Sequence, residues 1–331
     1  MFNVLITGIT GQDGSNMARF LLKKFNNNIV IIGCYNNENK LKNIHDFIDK
    51  ITICKLDLYQ LEEIDKIIDK YLPNFIFNFS SAQPQFEKDN INFFKINTLS
   101  TIQFLESIVK YKKNIRFFSA GSSLEYKNDN SIVNLENKAE PDNIYGITKL
   151  SNRLIINYYK EKYNIFAVHA ILFNHDSASR SDDFISQKII KHLKNIKENF
   201  NFDITKNHVF EINNIFTFRD WSDSRDFIEA IWLMLNNNTP SNYILSSGDE
   251  HSIYDFINIV LICLNFDEYE WKTINENYCL FYKNVLIIKS LSFLPIKNII
   301  GNNENTIHKL NWKPKNTFEQ MIKDMITGFI Y

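Results

Sequence analysis

The sequence predicts an α/β chain: a doubly wound parallel sheet with a smaller, interwoven C-terminal substrate lobe. Three observations lead there. Three of the nine glycines fall within Gly8-Ile9-Thr10-Gly11-Gln12-Asp13-Gly14, between a strand-like run and a helix-like one. Strand-like and helical patterns alternate through the first half, as in a parallel sheet covered on both faces. After about residue 173 the alternation loosens.

The first element, Phe2-Asn3-Val4-Leu5-Ile6, reads as a short buried strand. Asn16-Met17-Ala18-Arg19-Phe20-Leu21-Leu22 then carries apolar residues at helical spacing. Strand, glycine-rich turn and helix are the context of a dinucleotide site. Gly8 suits the tight turn, Gly11 lets backbone approach a pyrophosphate, and Gly14 lets helix and strand pack closely. Thr10, Gln12 and Asp13 belong to the same candidate cofactor turn, with the phosphates on the positive end of the helix. A plain turn is the alternative. The outer glycines have P-loop spacing, but no Lys-Ser or Lys-Thr follows.

Further strands are expected at Ile29-Ile32, Ile51-Cys54, Phe75-Phe79, Ile115-Ser119 and Phe166-Leu172, with helices such as Leu61-Tyr71 and Ile96-Tyr111 between them. Ligands of such a sheet lie at the carboxyl ends of its strands. Beyond residue 173, helices are expected at Phe184-Lys197, Ser224-Leu235, Ile253-Leu264 and Phe318-Ile326, with short strands between. No internal repeat or long linker is visible.

A chain of 331 residues accommodates one large domain or two. A net charge of -1 implies no general attraction to nucleic acid or anionic membrane. No apolar run is long enough to span a bilayer, and no export signal is read, so a cytoplasmic location is expected. Cys34, Cys54, Cys263 and Cys279 are far apart and follow no metal spacing; they read as buried free thiols. The seven histidines are scattered, and no metal site is expected. The runs Asn26 to Asn28 and Asn236 to Asn238 read as loop padding.

Asp57 and Leu58 follow the third strand, where an acidic side chain could bond an adenine amino group; an exposed loop aspartate is the alternative. After the second strand stand Asn36 and Asn37, neither the acid that bonds NAD ribose nor an arginine for the NADP phosphate. That loop leaves the choice between the two open.

The reactive constellation is expected in Pro141-Asp142-Asn143-Ile144-Tyr145-Gly146-Ile147-Thr148-Lys149. Pro141 and Asp142 suit the start of a helix, and Tyr145 and Lys149, four apart, share one face of it. A neighbouring ammonium favours the phenolate, which can take a hydroxyl proton as hydride leaves the same carbon. Lys149 can also hold the nicotinamide ribose. Ser122, in Phe117-Phe118-Ser119-Ala120-Gly121-Ser122-Ser123, is the candidate to orient the substrate hydroxyl. The plain alternative is a loop serine capping local backbone.

These features resemble the extended short-chain dehydrogenase/reductase family, most closely its GDP-mannose 4,6-dehydratase branch. The resemblance rests on Gly8-Ile9-Thr10-Gly11-Gln12-Asp13-Gly14-Ser15, Ile171-Leu172-Phe173-Asn174-His175-Asp176-Ser177, Phe184-Ile185-Ser186-Gln187-Lys188-Ile189, Arg219-Asp220-Trp221, Glu229-Ala230-Ile231-Trp232-Leu233-Met234-Leu235 and Asn311-Trp312-Lys313-Pro314-Lys315. It runs nearly end to end. It implies a Rossmann-type dinucleotide-binding domain over residues 1–173 carrying Ser122, Tyr145 and Lys149. Residues 174–331 would form mainly the sugar-nucleotide lobe, with some chain returning to the first domain. It further implies NADP or NAD as cofactor, NADP being the family's choice. The implied substrate is a GDP-linked sugar held by Ser123, Asn174, Lys188 and Arg219, the last three chiefly at its diphosphate. For Arg219 the alternative is a surface salt bridge with Asp220 or Asp223. A homodimer or homotetramer is implied, through helices around Ile96-Tyr111 and Ile144-Tyr159, and products that feed surface polysaccharide.

The chain departs from the branch in one direction. The family's glutamate base, which removes the C5 proton as water leaves C6, falls at Leu124, with Glu125 one residue later. In an extended segment neighbouring side chains face opposite ways, so Glu125 replaces the base only if the loop slips by one residue. Leu294 stands for a phosphate-binding arginine, Lys127 for a glycine, and the loop Ser80-Ser81-Ala82-Gln83-Pro84 is about two residues short. Three readings follow: a 4,6-dehydratase-like enzyme with hydride transfer at C4, a C4 oxidoreductase or epimerase without dehydration, and a non-catalytic nucleotide-binding partner subunit. The intact Tyr-x-x-x-Lys pair argues against the last.

Overall fold

The computed structural model describes residues 1–84, 86–111, 114–200 and 208–331. Strands β1 (Phe2–Thr7), β2 (Ile29–Tyr35), β3 (Thr52–Lys55), β4 (Phe75–Asn78) and β5 (Arg116–Ala120) come first in the chain. With Phe166–Leu172 and Asn242–Leu245 they form one seven-stranded sheet, parallel throughout. From one edge the order is Asn242–Leu245, Phe166–Leu172, β5, β4, β1, β2 and β3. The winding reverses between β1 and β4, so a crevice opens at their carboxyl ends, where ligands of such sheets bind.

Alternating side chains of β1 show why both faces are covered. Val4 and Ile6 pack with Met17, Phe227 and Ile231, from helices Gln12–Phe25 and Ser224–Leu235. Leu5 points the other way, into a cluster with Ile64, Ile68 and Phe104, from helices Leu61–Tyr71 and Ser100–Tyr111. Strand Asn242–Leu245 and helix Ser224–Leu235 thus return to the sheet from beyond residue 173. A second core joins Leu193, Phe256, Leu280, Ile288 and Met321. It lies between three helices and a four-stranded sheet ordered Tyr269–Ile274, Asn277–Tyr282, Val285–Ser292 and Phe210–Asn214.

Two expectations are corrected. The helix read at Ile96-Tyr111 begins earlier, at Asn90, and passes through a π-helical segment, Phe94–Leu99, before Ser100–Tyr111. Asp89 starts it by accepting from the Ile91 and Asn92 amides. All four cysteines are free thiols, but only Cys34 and Cys279 are buried, while Cys54 and Cys263 are half-buried; Cys34 and Cys54 are neighbours across β2 and β3, with sulfurs 3.3 Å apart. Among the described residues no helix is long and apolar enough to cross a membrane, and no group of three or more His, Cys, Asp or Glu could hold a metal ion.

Candidate active site

The glycine turn closes at the crevice. Gly8 has φ +66, and a Cβ there would meet the Ser80 amide nitrogen at 3.1 Å. Its carbonyl accepts from Gly11 N–H at 2.9 Å. At Gly14 a Cβ would come within 2.2 Å of the Gly8 oxygen, so helix Gln12–Phe25 reaches this close only over a glycine. Gly11 is exposed at the helix N-cap, with no side-chain cap. The first-turn amides and the positive end of the helix dipole thus face the crevice, which suits a phosphate.

Thr10, Gln12 and Asp13 are in this turn, but the last two turn their side chains inward. Gln12 Nε2 donates to the His175 carbonyl at 3.1 Å, and its oxygen accepts from Ser177. Asp13 pairs with His175, whose Nε2 lies 3.1 Å from Oδ2. Their side chains tie the turn to the C-terminal half, leaving their backbone to meet a ligand. Burial pushes the Asp13 carboxyl up, but His175 and Arg180 outweigh it and hold the group at about 2. Asp57 is half-buried after β3, and its carboxylate accepts from the Tyr59 amide at 3.0 Å. Leu58 is buried beside it, and Asn36 is exposed after β2.

The candidate residues Ser122, Tyr145 and Lys149 come together at the end of β5. Helix Ile144–Tyr163 is capped by Asn143, whose side chain accepts from Gly146 N–H at 2.9 Å; Pro141 and Asp142 lie outside this cap. Tyr145 and Lys149 are both buried on this helix. Lys149 Nζ lies 5.4 Å from the Tyr145 ring centroid and donates to Ala120 O at 2.8 Å. Ala120 ends β5, two residues before Ser122. The Ser122 turn rests directly on the helix: a Cβ at Gly146 would lie 2.0 Å from the Leu124 carbonyl oxygen. Ser122 and Ser123 are half-buried there, and Ser122 Oγ accepts from the Leu124 amide at 3.2 Å. The local cap and a place beside Tyr145 are therefore compatible.

The segment after Ser122, expected to be extended, is instead a 3₁₀ turn over Ser123–Glu125. Leu124 is 43% exposed, while Glu125 is fully buried. Glu125 Oε2 lies 3.0 Å from Arg153 Nε, and Oε1 lies 2.8 Å from His169 Nε2. Burial pushes this carboxyl up, but His169 and Arg153 reverse the effect and hold it below the usual carboxylate range. The turn directs it into the interior.

In the C-terminal half, strand Asn174–Asp176 pairs in parallel with Phe218–Asp223, Asn174 opposite Trp221. The pleat therefore puts Asn174, Asp176, Arg219 and Trp221 on one face. Trp221 Nε1 donates to Asp176 at 3.1 Å, and Arg180 pairs with the same carboxylate at 2.8 Å. Arg219 is half-buried and, among the described residues, has no hydrogen-bond or ion-pair partner. Burial lowers its pKa against the opposing pull of Asp176. The alternative salt bridges are ruled out by prior commitments. Asp220 accepts from the Ser247, Gly248 and Gly301 amides, and Asp223 holds Arg225 at 2.5 Å. Lys188 is exposed in the first turn of helix Ile185–Glu198, and Leu294 is 70% exposed.

Three contributors escaped the sequence reading. Arg180 stands on the Arg219 face, but nothing in its neighbours marks it. His175 was visible only as part of a motif, since its partner Asp13 is remote. Asn97, in the π-helical segment, accepts from the Ala82 amide at 2.7 Å and donates to Thr148 Oγ1 at 3.1 Å. It thereby ties the loop after β4 to the Tyr145 helix, a role for which a helical asparagine gives no signal.

Residues 5–325 match the family described as GDP-mannose 4,6 dehydratase. The Drosophila melanogaster GDP-mannose 4,6 dehydratase is 29% identical over 98% of this chain and 85% of its own. Among solved structures, dTDP-glucose 4,6-dehydratase of Bacillus anthracis, in complex with NAD, superposes with a TM-score of 0.78 at 18% identity, covering 99% of this chain and 96% of that one. RMD of Pseudomonas aeruginosa, complexed with NADPH, superposes with a TM-score of 0.76 at 16% identity, covering 100% and 98%. The structural likenesses establish the fold, and the match over residues 5–325 establishes the family. With its parallel sheet and glycine turn, this chain belongs to the GDP-mannose 4,6 dehydratase family of nucleotide-sugar enzymes.

Proposed function

We propose that the protein binds a nicotinamide dinucleotide and a GDP-linked sugar and acts at the sugar C4. The observation that carries this reading is the joining of Ser122, Tyr145 and Lys149 at the end of β5, through Lys149 on Ala120 and Gly146 beneath Leu124. Ser122 Oγ orients the C4 hydroxyl, and Tyr145 takes its proton. Lys149 stabilises the phenolate. The uncapped turn at Gly11 and the close approach at Gly14 suit the cofactor's pyrophosphate, with Asp57 and Leu58 toward its adenine and Asn36 toward its ribose. A bound nicotinamide supplies the hydride acceptor and donor. NADP is proposed from the family and NAD is the alternative, since Asn36 brings no charge to a phosphate. Arg219, Asn174 and Lys188 offer a guanidinium, an amide and an ammonium for the diphosphate, and Ser123 lies toward the sugar.

A second reading has a specific observation in its favour. Leu124 occupies the position of the elimination base, and Glu125 is committed to Arg153 and His169. C4 oxidoreduction or epimerisation needs only Ser122, Tyr145 and Lys149. The deciding experiment is mass spectrometry of the product after incubation with GDP-mannose in deuterated water, with NAD and NADP tried separately. Loss of one water with deuterium at C5 supports dehydration. A product lighter by two hydrogens, with reduced cofactor, supports C4 oxidation. An unchanged mass with a new isomer separated by chromatography supports C4 epimerisation, and unchanged mass with no new isomer counts against this substrate.

A homodimer, or a homotetramer built on it, is part of the proposal. Ile147, Leu154 and Tyr158 are exposed along one side of helix Ile144–Tyr163, and Ile91 and Leu99 are exposed on the preceding helical segments. Leu154→Glu should shift the protein toward monomer in light scattering; an unchanged mass would rule this face out.

A further inference from the structure

We propose that Glu125 is a positioning residue: its buried carboxylate fastens the Ser122 turn to the helix that carries Tyr145 and Lys149, setting the distance between the serine and the tyrosine. The inference rests on the reading of Ser122, Tyr145 and Lys149 as the reactive set.

Arg153 follows Lys149 by four residues and Tyr145 by eight, so all three share one face of helix Ile144–Tyr163. That face grips the serine turn at both ends. Before Ser122, Lys149 Nζ donates to Ala120 O at 2.8 Å. After it, Arg153 Nε pairs with Glu125 Oε2 at 3.0 Å. The same carboxylate reaches back to Ser122: its Oε1 accepts from the Ser122 amide at 3.2 Å, completing a reciprocal cap with Ser122 Oγ and the Leu124 amide. It also reaches the sheet, with Oε1 2.8 Å from Nε2 of His169, a residue in register with Ser119 of β5. Arg153 is fixed in turn, one guanidinium nitrogen donating to Tyr126 Oη at 3.0 Å, and Tyr126 Oη donating to Asn134 O at 3.1 Å.

The backbone leaves no slack around this carboxylate. A Cβ at Gly121 would lie 2.3 Å from His169 Nε2 and 2.6 Å from Glu125 Oε1. Glu125 and His169 are both fully buried, and Arg153 nearly so. Slipping the loop by one residue, to bring Glu125 to the place of Leu124, would leave a buried guanidinium without its counter-charge, a costly state. The network therefore holds Leu124 at the surface and the Ser122 turn against the helix that carries Tyr145. Stability is a weak reason for it, because well-packed apolar residues often replace a buried ion pair without loss. Its three protein elements are the ones that carry or flank the reactive groups.

The test compares wild type, Glu125→Gln and the volume-conserving pair Glu125→Leu with Arg153→Leu, with Tyr145→Phe as the chemical control. Two readouts are taken. One is kcat and KM with the nucleotide sugar that wild type turns over. The other, independent of turnover, is amide hydrogen exchange of the peptide covering residues 120–126. Both altered proteins should fold, exchange this peptide at least tenfold faster with β1 unchanged, and lose ten- to a hundredfold in kcat with KM within about threefold. Wild-type kcat together with unchanged exchange would overturn the proposal, whatever the melting temperature. Faster exchange with unchanged kcat would overturn it too, reducing the network to a structural one. If wild type turns over no nucleotide sugar, or Tyr145→Phe is as active as wild type, the underlying catalytic reading fails. The exchange data then still decide whether Glu125 holds the turn, and unchanged exchange would sink that as well.

Discussion

His175 Nε2 lies 3.1 Å from Asp13 Oδ2, joining the first turn of the dinucleotide-type helix to strand Asn174–Asp176 across 162 residues of chain. Asn16 strengthens the junction, its amide donating to Ser177 and Ser224. The glycine turn is therefore held from the C-terminal half of the chain as well as by its own sheet.

This pair should leave a pH signature in stability. His175 and Arg180 outweigh burial and hold Asp13 at about 2, so its contribution is complete above the unfolded value of ~4 and is lost as pH falls toward 2. Burial pulls His175 down, but Asp13 outweighs it and raises the imidazole, whose contribution is complete below ~6.5 and is lost as pH rises through its folded value. Asp13→Asn should therefore cost most between pH ~4 and ~6.5, about 3 kcal/mol in cofactor-free urea unfolding. A difference that stays flat from pH ~3 to ~9 would show that the pair is not ionised.

Two glycines of one turn should fail differently. A Cβ at Gly14 meets backbone at 2.2 Å, so Gly14→Ala should lower stability by about 1–3 kcal/mol or more. A Cβ at Gly11 meets only the Gly8 oxygen, at 3.2 Å, and points from an exposed cap. Gly11→Ala should fold normally yet bind nicotinamide dinucleotide at least about tenfold more weakly, because it fills the approach to the helix amides. Fluorescence titration with NADPH and thermal melts separate the two effects.

Leu124, at the position where the family resemblance implies the elimination base, is exposed. Leu124→Glu should create or raise loss of water from GDP-mannose, with Glu125 undisturbed beneath it. A folded variant with no gain in dehydrated product by mass spectrometry would mean that position 124 does not face the sugar.

Arg219 is a half-buried guanidinium without an ionic partner among the described residues, held on the face that carries Asn174. Arg219→Ala should raise KM for the nucleotide sugar by about 10- to 100-fold, the worth of charge-assisted hydrogen bonds, with kcat changed far less. Arg219→Lys should recover only part of this, since an ammonium lacks the two-pronged geometry. Steady-state kinetics reads both; an unchanged KM would remove Arg219 from the diphosphate site.

Local chemistry was legible because it is local. The glycine turn needs only its own seven residues, Tyr145 and Lys149 meet through helical spacing, and buried strands such as Phe166–Leu172 announce themselves by composition. The hairpins within Tyr269–Ser292 were hidden because their turns, Asn275-Glu276 and Lys283-Asn284, adopt left-handed φ without the glycine that usually marks it. The π-helical segment was hidden because Asn97 earns its place through the Ser80–Pro84 loop and Thr148, not through helix propensity.

The sequence by itself determined the α/β class, the glycine turn, the Tyr145–Lys149 pair and the absence of an acid at position 124. All of these follow from residue type and short-range spacing. Tertiary structure alone decided where the remaining side chains point. It turned Glu125 inward to Arg153 and His169, set Asp13 against His175, and left the Arg219 side chain without a hydrogen-bond or ion-pair partner among the described residues. Each outcome depends on residues remote in sequence competing for the same charge in a low-dielectric interior, where the nearest well-placed partner decides a group's role.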